Sequence, residues 1–436
     1  SYIEDSTILN VKMINKLPKD VIEILDTVAS HQSVCSVEFI HDKKKDVISR
    51  GRSLSVSTAM KSPCTILTKI KEFEKGEEQI SLECEMSIED GGKIIPIQGN
   101  VGNDVISGVS TFLSKEALVA PDNIFIPDGA SIQMIQKSPK GRAKFAITVG
   151  DKPILVVRII APDARTTLTS AQLSDGVFGT SGDPVNLKSQ YASCSYNKLN
   201  VIPAPNQSSP GPVARGVVTA RITQNVSGAD DTAIKNAAES ALRAAGFTLP
   251  GNYHHVMYCI PPGTGGGWIA YAWVNHWSSV YNNNWCSYVS VQMHEIGHNL
   301  NLAHSGEGSN EYADQSGMMG YSYSSSNTPV MCFNAPKNWQ LGWYNDRLAT
   351  ANSRWEGALV GIAEYDLSIA TQHYVALLVP SALVGGSDDY YVSFNRNKGL
   401  NSGTRDGVNQ VLIHKRRRGT GYAQSTLMAK MNSGSS

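Results

Sequence analysis

At 436 residues the chain is longer than a typical single domain, and two or three structural units are expected. Apolar residues make up 41% of it, enough for real cores, while the formal net charge is zero and only 17% of residues are charged. That balance provides neither a basic field for nucleic acid nor an acidic tail, and no apolar run reaches membrane-spanning length: the best, 374–384, is broken by Pro380.

Residues 1–150 read as mostly β. Stretches 34–40, 64–70, 79–88 and 143–149 carry alternation or β-branched residues between Lys-, Gly- and Asp-rich turns, and only 18–30 suggests a helix. No catalytic constellation is visible there, and the region fits either a propeptide or an ancillary β-domain. The short runs Lys43–Lys45 and Lys415–Arg418 read as solvated strand ends or loops. The segment 153–160 (PILVVRII) is a buried-strand signal and opens a second unit, 151–350. Helices are expected at 170–175 and 185–192, then a loop marked by Pro203, Pro205, Pro210 and Pro212, and a strand at 216–222. Asp230-Asp231 begins a helix with Ile234, Ala237, Ala238, Ala241 and Leu242 on one face, stopped by Gly246. A strand at 253–260 and a Gly-rich turn lead to 268–274, expected to be an edge strand beside a cleft. From Trp355 strands return at 374–379, 390–395 and 410–414, which predicts a C-terminal β-sandwich over 351–436. The first residue is Ser1, consistent with a processed or fragmentary N-terminus, and the sandwich reads as cut short.

Between those strands lies His294-Glu295-Ile296-Gly297-His298, followed by Asn301 and His304. On a helix, positions i and i+4 share a face, so His294 and His298 can point at one ion. Val289, Met293, Ile296 and Leu300 form an apolar stripe on a different arc. Asn tolerates the left-handed conformation that ends helices, and such an exit at Asn301 would swing His304 back as a third ligand. Three imidazoles and an open position suit catalytic zinc better than copper or iron. Glu295 is adjacent to the first ligand and long enough to serve the attacking water as general base.

Other chemistry is weaker. His254, His255 and His276 read as structural or exposed. Gly179-Thr180-Ser181-Gly182-Asp183 lacks the nucleophile-elbow spacing and an evident partner His. Cys35, Cys64 and Cys84 fall in the N-terminal third; Cys194, Cys259, Cys286 and Cys332 fall around the motif and allow three connectivities. With the sequons at Asn206 and Asn225, they favour an oxidising, extracellular compartment.

The extended His motif, with Ser316-Gly317-Met318-Met319-Gly320-Tyr321 downstream, resembles the metzincin zinc proteases, in which a tight turn containing Met follows the motif. Gly is usual in metzincins where Asn301 stands; Asn there resembles the gametolysin (autolysin) family. Segments 267–281 (GWIAYAWVNHWSSVY), 332–344 (CFNAPKNWQLGWY), 389–416 and 174–194 are similar to gametolysins as well, so the resemblance covers roughly 150–436. It implies an α/β (α+β) metzincin-like catalytic domain with a twisted sheet and an active-site helix. It implies His294, His298 and His304 as zinc ligands, Glu295 as catalytic base and Met319 packed beneath the imidazoles. Tyr321 stands where astacin-like and serralysin-like metzincins carry a Tyr near the metal; the plainer reading is one more aromatic of a Ser-rich loop. In some metzincin proforms a thiolate blocks the metal, and Cys64, after Pro63, is the suggestive position for that; an ordinary disulfide is the plainer reading. The implied function is a secreted zinc metalloendopeptidase acting on extracellular or cell-wall glycoproteins. The rivals are an inactive wall or matrix protein that keeps the fold, and a zinc hydrolase acting on a non-peptide bond.

Overall fold

A computed structural model describes residues 8–13, 58–74, 76–87, 92–102, 105–120, 122–136, 148–320, 325, 327–366, 372–419 and 421–432. The expected strand at 34–40, the expected helix at 18–30, the Lys43–Lys45 run, Cys35, Tyr321 and most of the expected strand at 143–149 lie outside the described residues. The architecture is mixed α/β, with large sheets and few helices.

Strand β1 (Ile8–Met13) is followed by an N-terminal group containing β2 (Cys64–Phe73), β3 (Glu78–Glu85), β4 (Ile94–Gln98) and β5 (Ser110–Leu113). The central strand of the next group is β6 (Gly150–Ile160). Its uninterrupted apolar run is explained by cover on both faces. Ile154 and Val156 face α1 (Ser170–Phe178) and α2 (Leu187–Ser195), packing with Leu173, Val177 and Tyr191. Leu155, Val157 and Ile159 face the other way, alternating as strand geometry requires. Parallel to β6 run β7 (Leu199–Pro203), β8 (Val217–Arg221) and, after α3 (Asp231–Ala244), β9 (His255–Ile260). Helix α3 starts where expected, because the Asp230 side chain accepts from the Ala233 amide, and its Ile234, Ala238 and Leu242 pack against Val157 and Val256.

The sheet continues through β9, β11 (Ser278–Asn282) and β10 (Trp268–Trp273), with β11 parallel to β9 and β10 antiparallel to β11. One expectation is corrected here. Strand β10 is not an edge: β2 of the N-terminal group pairs with it antiparallel, Ala270 opposite Glu72 and Ala272 opposite Ile70, and β3 and β4 extend the same sheet. An open edge beside β10 would leave a row of unpaired backbone donors and acceptors, and β2 satisfies them.

Helix α4 (Val289–Asn299) packs across β10 and β11. Beyond it come β12 (Ser305–Glu307), α5 (Ala335–Leu341), β13 (Leu348–Thr350), β14 (Trp355–Val360), β15 (Ala376–Val379), β16 (Asp388–Asn395), β17 (Gln410–Arg417) and β18 (Ser425–Met431). These form a six-stranded sheet in the order β12-β18-β17-β16-β15-β13, while β14 pairs with β1 in a smaller sheet. Leu359 of the small sheet packs with Leu377, Val392 and Val411 of the large one, so the C-terminal strands form two facing layers. Strand β12, immediately after His304, is thereby tied to β18, near the far end of the described chain.

Disulfides join Cys64 to Cys84, Cys194 to Cys332 and Cys259 to Cys286. The last two lock α2 to the segment after the Met-containing turn, and β9 to the residues just before α4. Among the described residues no helix is long and apolar enough to cross a membrane.

Candidate metal centre

The expected apolar stripe of α4, Val289, Met293, Ile296 and Leu300, is buried, but so is every other residue of the helix. The second face is covered because it carries the site. The helix ends in a Schellman arrangement: Asn301 takes φ 69°, its amide donates to the carbonyl of His298, and Leu302 donates to Gly297 at 2.9 Å. This is the left-handed exit expected at Asn301, and it returns the chain so that His304 meets the two helical imidazoles.

Each imidazole is oriented through Nδ1. His294 Nδ1 lies 2.8 Å from the Met318 carbonyl, and His298 Nδ1 lies 2.8 Å from the Leu302 carbonyl. Carbonyls only accept, so both rings carry hydrogen on Nδ1 and present an unprotonated Nε2. His304 Nδ1 sits 3.0 Å from Glu78 Oε2, which also accepts from the Tyr312 hydroxyl at 2.9 Å. The three Nε2 atoms converge: His298 and His304 are 3.1 Å apart at Nε2. Two ligands each about 2.1 Å from one tetrahedral ion would be separated by roughly 3.4 Å, so the spacing suits a shared zinc-sized cation. Met319 supports this floor. A Cβ on Gly297 would lie 2.6 Å from its Sδ, so the Met319 thioether packs directly on the one helix position that lacks a side chain.

A fourth side chain, unforeseen in sequence, completes the group. Glu72 of β2 puts Oε1 3.2 Å from Nε2 of both His294 and His298 and 3.5 Å from that of His304. The four donor atoms all lie within 4.8 Å of one another, and every one of these side chains is buried. Sequence reading found no catalytic constellation in residues 1–150; Glu72 and Glu78 come from that region. The signal available was a carboxylate continuing the buried face of Cys64, Ile66 and Ile70, where an apolar residue is the norm. The plainer reading of Cys64 holds: it forms a disulfide with Cys84, so it has no free thiolate to block a metal.

Electrostatics follow the crowding. Burial, then the charge of Glu72 beside it, holds the Glu295 carboxyl well above the usual carboxylate range. Burial alone would raise Glu72 too, but the charge of His294 and the polar contacts of Glu295, His294 and His298 outweigh it and hold it low. Burial pushes His298 down to about 4. His304 is also disfavoured by burial, yet the carboxyls of Glu311, Glu72 and Glu78 prevail and push it up to about 10. Two buried carboxyls and three buried imidazoles in contact are costly to assemble without a bound cation. The donor set therefore fits a divalent metal.

The profile of the family described as Gametolysin peptidase M11 matches residues 156–430, which is more than half of the chain. The chain belongs to the gametolysin M11 peptidase family. Among curated proteins it is similar to Autolysin of Chlamydomonas reinhardtii, 35% identical over 92 residues. Those residues are 20% of this chain and only 14% of that protein's length. No solved structure matches. The gametolysin match includes the whole His motif and the Met-containing turn, whereas Glu72 and Glu78 lie before its first residue.

Proposed function

We propose that this gametolysin-family chain is a secreted zinc metalloendopeptidase of metzincin-like design that hydrolyses peptide bonds of extracellular or cell-wall glycoproteins. The observation that carries the reading is the convergence of three Nε2 atoms whose Nδ1 partners fix the ring orientation, with the Glu295 carboxyl buried beside Glu72. A structural metal needs no carboxyl acid-base group; a hydrolase does.

His294, His298 and His304 would hold the ion, which when bound supplies Lewis acidity toward a carbonyl and toward water. Glu295 accepts the proton from the attacking water and passes it to the departing amine. Met319 and the Met318 carbonyl keep the helix and the His294 ring in place, while the Asn301 turn positions His304. Tyr321 is proposed as a stabiliser of the developing oxyanion. The three disulfides and the exposed sequons at Asn206 and Asn225 support an extracellular location. The match to an Autolysin supports a wall-associated protein substrate.

The test is hydrolysis of a generic unfolded protein by the zinc-loaded chain. Loss of cleavage on chelation, recovery with zinc and a fall of about 10²-fold or more in Glu295→Gln support the reading. Cleavage that survives chelation, or activity confined to a non-peptide ester, removes it.

A further inference from the structure

Strand β12 begins immediately after the third imidazole, and the C-terminal sheet takes hold of it there. The Ser425 amide of β18 donates to the His304 carbonyl at 3.1 Å, and the Ser305 amide donates to the Met319 carbonyl at 2.9 Å. The main chain at His304 is thus pinned both to β18 and to the Met-containing turn. Next to these bonds Asp314 is wholly buried. Its Oδ2 accepts from Ser305 Oγ at 2.6 Å, Asn334 Nδ2 at 2.8 Å and His414 Nε2 at 3.0 Å. Its Oδ1 accepts from the Ser316 amide at 3.0 Å and from the Ser316 hydroxyl. Donors converging in this number on two oxygens call for an ionised carboxylate, which only accepts. Burial alone would raise Asp314, but the His414 ring and the hydrogen bonds from His414, Ser305 and Ser316 outweigh it and hold it well below the usual carboxylate range. Each donor belongs to a different element. Ser305 opens β12, Ser316 leads into the Met-containing turn, Asn334 caps α5, and His414 lies on β17 of the C-terminal sheet. The single hydroxyl hydrogen of Ser305 goes to Asp314, so Ser425 Oγ, 2.7 Å away, donates to Ser305. Serine, histidine and aspartate in contact resemble a nucleophilic triad, but Ser305, Asp314, His414 and Ser425 are all 0% exposed, and no substrate reaches them. What the group does is join elements.

We propose that Asp314 and His414 are positioning residues of the metal centre: acting through Ser305, they fix the main chain that carries His304, so the C-terminal sheet is a working part of the peptidase site. This rests on the zinc-peptidase reading above. His414 touches none of the three metal-facing imidazoles; its hold on His304 passes through Asp314 and Ser305. The two faces of β17 have separate tasks. Val411 and Ile413 pack into the layer between the two C-terminal sheets, whereas His414, on the opposite face, meets Asp314. Loss of Val411 packing therefore loosens the sheet alone, and loss of the His414 hydrogen bond loosens the site. Groups that orient metal ligands from outside the coordination shell commonly set affinity as strongly as a weak ligand does.

The experiment measures zinc affinity of the full chain against a competing chelator, and the visible spectrum of its Co(II) form, which reports ligand geometry. Wild type is compared with His414→Leu, His414→Gln, Ser305→Ala and Val411→Ala. His414→Leu removes the donor to Asp314 and is expected to weaken zinc by about tenfold and to shift the Co(II) bands. Gln can place an amide N–H where Nε2 stood, so His414→Gln is expected to stay within about twofold of wild type. Val411→Ala is expected to lower the thermal midpoint while leaving affinity and spectrum unchanged. The proposal is overturned if folded His414→Leu matches wild type in both readouts, if Gln is as damaging as Leu, or if Val411→Ala weakens zinc as much as His414→Leu. Should His414→Leu fold poorly, Ser305→Ala decides, because it cuts the link to Asp314 and leaves His414 in place. Weaker zinc binding with a shifted Co(II) spectrum there supports the proposal, and wild-type behaviour overturns it. If wild type itself binds neither zinc nor Co(II), the metallopeptidase reading fails, and this proposal with it.

Discussion

His298 and Leu302 are joined across the end of one helix: the Leu302 carbonyl lies 2.8 Å from the Nδ1 of His298, four residues earlier. The bond exists because Asn301, at φ 69°, reverses the chain between them. A single left-handed residue thus orients the second imidazole of the cluster and delivers the third. Asn301→Gly should keep metal affinity, since Gly adopts this conformation without a Cβ penalty. Asn301→Val should cost on the order of 1–2 kcal/mol in backbone strain and weaken metal binding. Zinc titration against a competing chelator checks this. Equal damage from Gly and Val would mean that the Asn amide, not the backbone turn, matters.

Gly297 stands inside α4, where Gly→Ala ordinarily stabilises by about 1 kcal/mol. Here the added methyl meets the Met319 sulfur at 2.6 Å, and Met319 is itself buried with Phe333 close by. Overpacking of this kind costs roughly 1–3 kcal/mol, so the steric term should win. Gly297→Ala is expected to lower the thermal midpoint and the metal affinity together. A higher midpoint with unchanged affinity would show that Met319 yields freely and does not brace the site.

Away from the metal, His254 and His255 precede and begin β9. Burial, then Lys152, pushes His254 down to about 4. Burial, then His254, Lys152 and His276, holds His255 well below the usual imidazole range. Neither ring nitrogen of His255 has a hydrogen-bond partner among the described residues. Both folded values are depressed, so the unfolded chain binds more protons, and stability rises with pH. The His254 contribution is fully present above about pH 6.5, the unfolded value, and is lost as pH falls toward 4, while that of His255 falls away below the same unfolded value. His255→Phe should therefore reduce the slope of unfolding free energy between those limits by up to about 1.4 kcal/mol per pH unit. Urea unfolding at several pH values, with both proteins in the same metal state, checks it. Parallel curves would show that His255 stays neutral in both states.

Much of the peptidase unit was legible because its signals are local. The period of Val289, Met293, Ile296 and Leu300, the Asp230 cap and the unbroken apolar run of 153–160 each report a nearby physical constraint. The Asn301 turn was legible for the same reason: one residue type in one backbone conformation. The edge position assigned to 268–274 failed because pairing partners are set by topology, and β2 lies about 200 residues earlier in the chain. Glu72 was missed on the same grounds. Nothing local distinguishes a carboxylate entering a metal ring from one at a solvated strand end, and the clue was its place on a buried face. The partner of Cys64 was not legible, because an odd cysteine count says nothing about which pair forms.

Glu295 separates chemistry from binding. Its side chain is wholly buried beside Glu72, and it is proposed as general base, not ligand. Glu295→Gln should retain metal and thermal stability while losing most of the turnover, by about 10²-fold or more. Metal loss in this variant would make Glu295 a ligand, and near-wild-type turnover would remove it from the mechanism.

The central claim is that His294, His298 and His304 together hold a catalytic ion, and His304 tests it most directly because only the Asn301 turn brings it to the other two. Metal content of the purified full chain by elemental analysis, after equilibration with zinc buffered at low free concentration, is the measurement. The account predicts about one zinc per chain in wild type and in Glu295→Gln, and little or none in His304→Ala. Full zinc occupancy in a folded His304→Ala protein would contradict it.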